Sequence, residues 1–341
     1  MGQRRRDIGP TYTGVKIIEG PLFTPRKPSK SGVQAAAERV RGIVVETPLL
    51  PFDHHGVRVW IKAESLQTGG SFKLRGATNR LLLLSNEERA RGVVAFSSGN
   101  HAQGVAIAAA RLGMDATIVM PSDAPAVKRD ATEALGATIV PYDRATQSRE
   151  EIAARIAHDT GATLVPSFDD VDVIEGQGSC GVEIGRQFRD ATGGEVERVV
   201  VCCGGGGLTA GIALALPAAE IVPVEPDGWD DMARSLRAGT RVAVPADAPP
   251  TRCDALQTRL VSPLTFDILL ERGVRGVWVS EDQVAHAMRV AFGRLRLVVE
   301  PGGAVALAAL LSGKVAATPG TVVVLSGGNV DPASYAALLG S

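Results

Sequence analysis

Ser71-Phe72-Lys73-Leu74-Arg75-Gly76-Ala77 puts a lysine on the first turn of a predicted helix, Ser71–Leu84. An amine in that place lies at the positive end of the helix, which disfavours its charge. The apolar neighbours Phe72, Leu74 and Ala77 add desolvation, which acts in the same direction. A lysine that gives up its proton readily can condense with an aldehyde and afterwards serve as a base. Two further signals follow. Ser97-Ser98-Gly99-Asn100-His101 joins a predicted strand, Val93–Phe96, to a predicted helix, Asn100–Leu112. Gly204-Gly205-Gly206-Gly207 joins the strand Arg198–Cys202 to the helix Leu208–Leu216. Glycines let the backbone approach an anion closely, and amides at a helix N-terminus bind phosphate. Hydroxyls and amides at the first turn suit a carboxylate, such as that of an amino acid. Together these are the parts needed to hold a phosphorylated aldehyde cofactor covalently.

Each signal has a plainer reading. Lys73 alone could be a surface lysine, and Ser97 to Asn100 an ordinary helix cap. The glycine run could belong to a dinucleotide site, since Glu225 stands near the spacing of a ribose-binding acid. A nicotinamide enzyme, however, has no use for Lys73; a non-catalytic ligand-binding protein with a degenerate fold stays an alternative, and would lack the visible absorbance of a lysine–cofactor imine.

Around these motifs, short apolar runs alternate with helical patterns. Val57–Lys62, Ala116–Met120, Thr138–Val140, Thr163–Val165, Ile221–Val224, Val277–Val279 and Thr321–Leu325 read as further strands. Ala126–Leu135, Ser148–His158, Gln177–Ala191, Glu281–Leu295 and Ala304–Leu311 read as further helices. The alternation predicts an α/β protein with mostly parallel sheets covered by helices on both faces. Asp227–Pro263, rich in proline, reads as the least regular segment. Residues 1–30 read as a flexible N-terminal extension carrying Arg4, Arg5, Arg6, Arg26 and Lys27.

The bulk composition narrows the function classes. With 341 residues, 45% hydrophobic and 21% charged, the chain is long enough for two domains. A net charge of -1 gives no reason to expect nucleic acid or an acidic membrane as partner. No apolar run reaches the length of a membrane-spanning helix. The four cysteines, Cys180, Cys202, Cys203 and Cys253, show no metal spacing and read as buried thiols, which suits a cytoplasmic protein.

The three motifs closely resemble those of the serine racemase and threonine dehydratase family of pyridoxal-phosphate enzymes, which have the tryptophan-synthase-β-like fold. The resemblance extends over about residues 33–341, and Asp123-Ala124-Pro125 and Tyr142-Asp143-Arg144 are most similar to its serine racemase and 3-hydroxyaspartate branch. It implies two domains: a large cofactor-binding one from residues 31–85 and 168–341, and a small mobile one from residues 86–167. It implies that Lys73 carries pyridoxal phosphate, with Phe72, Asn100 and Gly204 to Gly207 around it and Ser326 against the pyridine nitrogen. A hydroxyl partner leaves that nitrogen unprotonated, which favours direct β-elimination. Ser97, Ser98, Asn100 and His101 then surround the substrate, His101 as a packing residue and Ser98 also as the acid or base on the opposite cofactor face. Glu300 matches a position close to the cofactor, and Glu225, Asp231 and the Trp229 carbonyl match a site for Mg²⁺ or Ca²⁺.

The implied reaction is conversion of L-threonine or L-serine to 2-oxobutanoate or pyruvate plus ammonia, by a homodimer. A threo-3-hydroxyaspartate ammonia-lyase and a serine racemase are the alternatives, and isoleucine feedback is not expected. Gly69-Gly70-Ser71 and Cys253-Asp254-Ala255 depart from the family pattern, which leaves the substrate open among these.

Overall fold

Valine-rich runs become the strands of two sheets in the computed structural model, which describes residues 26–124 and 126–340. The strands are β1 (Leu49–His54), β2 (Val57–Ala63), β3 (Val93–Phe96), β4 (Ala116–Pro121), β5 (Thr138–Tyr142), β6 (Thr163–Leu164), β7 (Arg198–Cys202), β8 (Glu220–Pro226), β9 (Val277–Val279) and β10 (Thr321–Leu325). One sheet has the order β1-β2-β10-β7-β8-β9, the other β5-β4-β3-β6. Among the named strands only β1 and β2 pair antiparallel, and the other pairs are parallel. The smaller sheet comes from one continuous block, and the larger from both flanks of it.

β7 and β10 lie in the middle of the larger sheet, and Val199 to Val201 and Val322 to Val324 are completely buried. Helices on both faces remove any solvent-facing side, so these strands are continuous apolar runs. Pro301–Leu311 is buried along nearly its whole length, as its all-round apolar sequence requires.

Sequence reading missed several elements. β1 follows from a two-residue turn in which His55 and Gly56 both have positive φ, 48° and 82°, the geometry that matches strand twist. Pro51 is tolerated because β1 is an edge strand. The helix expected from Gln177 begins at Val171, where Asp170 caps it by accepting from the Val173 amide. Its β-branched first turn argues against a helix locally, but packing on the neighbouring helices outweighs propensity. Asp231–Ala238 is a helix inside the stretch expected to be irregular, with Met232 and Ala233 buried. Lys30–Val40, Asn86–Arg91, Pro263–Glu271 and Pro332–Gly340 are further unexpected helices.

Residues 1–25 of the expected N-terminal extension lie outside the described residues. Arg26 is tied down, pairing with Asp172 and, at 2.6 Å, with Glu175. The four cysteines are free and buried. Among the described residues no helix is long and apolar enough to cross a membrane.

Candidate active site

The helix that begins at Lys73 is locked in place from behind. Arg75, completely buried, bonds Glu64 through Nε at 2.7 Å and Glu183 through Nη1 at 2.6 Å. Lys62, also buried, bonds the Thr47 carbonyl at 2.7 Å. Together these charges join β2, the helix Lys73–Leu82 and the helix Val171–Thr192.

The front of that helix faces a cleft of about 1180 Å³ at the C-terminal ends of β3, β7 and β10. That is where open parallel sheets place their ligands. The Lys73 Nζ donates to the Ser167 carbonyl at 2.9 Å. Burial pulls its pKa down to about 8, while nearby Cys202 acts weakly the other way. A useful fraction of the amine is therefore neutral near neutral pH.

The glycine run forms an anion cradle. The amides of Gly204 through Thr209 donate to no acceptor among the described residues. Gly206 has φ of 87°, and a Cβ on Gly205 would lie 2.2 Å from the Phe168 ring, so side chains are excluded. The helix Gly207–Ala215 adds its positive end. This fits a phosphate group.

The turn after β3 is similarly open. Gly99 is the cap of the helix Asn100–Arg111 and offers no side chain to it. The amides of Ser98, Asn100, His101 and Ala102 have no acceptor among the described residues. Ser97 accepts from the Gly99 amide at 3.2 Å, and Ser98 lines the cleft. Asn100 is held firmly: its Nδ2 donates to Glu300 at 2.6 Å, and its Oδ1 accepts from Asn329 at 2.8 Å. His101 is buried and pairs through Nε2 with the Val165 carbonyl at 2.8 Å. Burial first, then the Lys73 charge, pushes its pKa down to about 3, so the ring is neutral.

Ser326 lies across the cleft. The Phe72 amide donates to its carbonyl at 3.1 Å, which brings the β10 end beside Lys73. Its hydroxyl accepts from the Cys202 thiol at 3.1 Å. Phe72, Ser97, Ser98, Asn100, His101, the glycine run, Glu300 and Ser326 thus share one cleft with Lys73.

Glu225, Trp229 and Asp231 do not line this cleft. Glu225 accepts from the Met232 and Ala233 amides, both at 2.8 Å. Asp231 is buried with both carboxylate oxygens unpartnered, and burial raises its pKa to about 7. Burial, and then the Asp231 charge, also raises Glu225. No trio of His, Cys, Asp or Glu is placed to hold a metal among the described residues. Two carboxylates without a full charge partner still fit a hard cation that completes its shell with carbonyls and water.

Sequence reading missed several cleft residues. Lys128, Arg149 and Arg252 bring positive charge to it. Arg149 stands over the Phe96 ring, 5.5 Å from its centroid, beside the Ser97 turn. Lys128 pairs with Asp254, linking the two parts of the chain. None of the three sits in a recognisable local pattern. Asn329 could have been found, because it lies three residues after Ser326 in the same glycine-rich turn.

The Glu300 carboxyl is raised to about 7 by burial, against an opposing hydrogen bond from Asn100. Because the folded pKa exceeds the unfolded one, the folded state binds more protons between about 4.5 and 7. Stability from this group is complete below that window and is lost as pH rises through it. Unliganded Glu300→Gln protein should therefore hold its Tm from acid to neutral pH better than wild type, as paired thermal melts would read out. Parallel melting curves would contradict a buried, titrating Glu300.

Comparison with known proteins agrees with the geometry. The family model described as "Pyridoxal-phosphate dependent enzyme" matches residues 40–327. An L-threo-3-hydroxyaspartate ammonia-lyase of Pseudomonas sp is 43% identical, over 89% of this chain and 96% of that protein. The namesake from Saccharomyces cerevisiae is 39% identical, over 92% and 96%. An L-threonine ammonia-lyase of Thermotoga maritima is 40% identical, over 81% and 68%. The solved structure of maize serine racemase superposes with a TM-score of 0.84 at 32% identity, over 91% of this chain and 96% of that one. The architecture is accordingly the tryptophan-synthase-β-like one, and the chain belongs to the family of pyridoxal-phosphate-dependent enzymes.

Proposed function

We propose that the chain is an ammonia-lyase that removes water from a β-hydroxy amino acid bearing a second carboxylate. The substrate is 3-hydroxyaspartate, and the products are oxaloacetate and ammonia. L-Threonine and L-serine are its poorer substrates. The observation that carries this reading is Arg149, a half-exposed cation over Phe96 next to the Ser97 turn, whose Nε pairs with Glu150 at 2.8 Å while its other guanidinium nitrogens have no acceptor among the described residues; Lys128 and Arg252 lie on the same cleft. The side chains of threonine and serine carry no charge that would need them. The similarity to two 3-hydroxyaspartate ammonia-lyases supports the same choice.

Pyridoxal phosphate, when bound, supplies an aldehyde carbon for the substrate amine and a ring that withdraws electron density. Lys73 would attach it, and the amides of Gly204 through Thr209, open among the described residues, would hold its phosphate. Asn100 has one amide hydrogen left that would serve the ring oxygen, and Ser326 would serve the ring nitrogen. The substrate's α-carboxylate takes the open amides after Gly99 with the Ser97 and Ser98 hydroxyls, and Arg149 takes the β-carboxylate. The neutral Lys73 amine then accepts the Cα proton.

An ammonia-release assay over 3-hydroxyaspartate isomers, L-threonine and L-serine tests this. The expected kcat/KM favours 3-hydroxyaspartate by roughly 10–100-fold, the worth of one charge-assisted hydrogen bond. Arg149→Leu should remove most of that preference. An equal or higher value for threonine or serine in wild type would return the activity to those substrates.

A racemase side activity is the second reading. It is favoured by Ser98, whose hydroxyl lines the cleft without a hydrogen-bond partner among the described residues. D-Serine formed from L-serine, and lost in Ser98→Ala, would support it; no D-serine at any time removes it.

Glu225 and Asp231 are proposed to bind Mg²⁺ or Ca²⁺, on the strength of the unpartnered Asp231 oxygens. Adding either ion should raise the wild-type Tm by about 2–4 °C. The rise should be absent in Asp231→Asn; the same rise in that variant would place the ion elsewhere.

A further inference from the structure

Ser326 is the hydroxyl assigned to the cofactor's ring nitrogen, and the thiol of Cys202 lies 3.1 Å from it. Both side chains are buried, each about 4% exposed, and both line the cleft. Water therefore has little chance to compete for that hydroxyl. The pairing runs from the thiol to the Ser326 oxygen, which leaves the serine's own hydrogen for a stronger acceptor than sulfur. Burial raises the Cys202 thiol to about 11, which keeps it protonated and able to donate at neutral pH. Its own place is set by the backbone: the Cys202 carbonyl accepts from the Thr209 hydroxyl at 3.0 Å, at the end of the phosphate cradle.

A serine hydroxyl has one hydrogen and two lone pairs. With one lone pair occupied by the thiol, its hydrogen is directed away from Cys202. No acceptor for that hydrogen exists among the described residues. A ring nitrogen that receives this hydrogen must offer a lone pair, so it carries no proton.

We propose that Cys202 is a positioning residue: its thiol turns the Ser326 hydroxyl into a donor and thereby keeps the cofactor's ring nitrogen unprotonated. This rests on the assignment of Ser326 to that nitrogen and deepens it. Without the thiol, Ser326 could rotate and accept from a protonated ring, which would make the ring a stronger electron sink. The thiol thus helps to set the electronic state on which elimination depends.

The test is ¹⁵N NMR of the holoenzyme reconstituted with ring-¹⁵N pyridoxal phosphate, followed across pH. Wild type and Cys202→Ser, which retains a donor, should both show an unprotonated nitrogen. Cys202→Ala and Cys202→Val should raise the proton affinity of the nitrogen about fivefold, the worth of one neutral hydrogen bond. The Ala variant keeps the test open if Val does not fold. Unchanged nitrogen signals in the folded Ala or Val variant would overturn the proposal, even if cofactor affinity or Tm fell, because the thiol would then only pack. Ser326→Ala distinguishes the underlying reading: a signal it leaves unmoved would overturn the ring-nitrogen assignment itself.

Discussion

Lys73→Ala protein should fold, take up no cofactor covalently and lose ammonia release by roughly 10⁴-fold, the upper range for a positioned acid or base. The Lys73 Nζ reaches one carbonyl, that of Ser167, at 2.9 Å, and has no carboxylate pair among the described residues. Burial lowers its pKa to about 8, a state costly for a structural lysine and useful for a nucleophile. Removing it sacrifices little packing and relieves desolvation, so stability should be held or gained. The visible absorbance of the covalently held cofactor should vanish from the variant, while a Tm at or above wild type confirms folding. A variant retaining most of the activity would show that another group carries out the proton transfer.

Arg75→Met should cost about 3–5 kcal/mol of stability, the range for removing one partner of a buried ion cluster. Arg75 bonds Glu64 through Nη2 at 2.8 Å and Glu183 through Nη2 at 2.7 Å, in addition to its other contacts with both. Burial alone would push the Glu64 carboxyl up; the charge and hydrogen bonds of Arg75 outweigh it and hold it below the usual range. Without Arg75, a buried Glu64 must either remain charged without its partner or take up a proton. Glu64→Gln in the same chain should recover part of the loss, because the orphaned charge disappears. Denaturant unfolding of both variants measures this. A loss below about 1 kcal/mol would place the cluster among pairs that matter little.

Both predictions concern one heptapeptide, and that stretch shows how far local reading extends. Lys73 was legible because its role is advertised nearby, by the helix start and the apolar neighbours. Arg75 was not: two residues away, its partners Glu64 and Glu183 lie 11 and 108 positions distant. The glycine run was legible for the same reason as Lys73. Strand, loop and helix follow one another there, and the amides that bind phosphate belong to the loop itself. Cys202 ends the neighbouring strand, yet its thiol became meaningful only beside Ser326, 124 residues further on.

The α/β alternation, the buried strands and the two anion-binding turns follow from the order of residues alone, since hydrophobic periodicity and glycine placement act over a few positions. Which side chains meet in the cleft depends instead on strand order. β10 inserts between β2 and β7, and the block carrying Arg149 and Lys128 folds over the loop carrying Arg252 and Asp254. Such residues are exposed or half-buried and obey no local period, because much of what they contact is supplied by distant chain. Packing of the whole molecule chose them, and no short window of sequence contains that information.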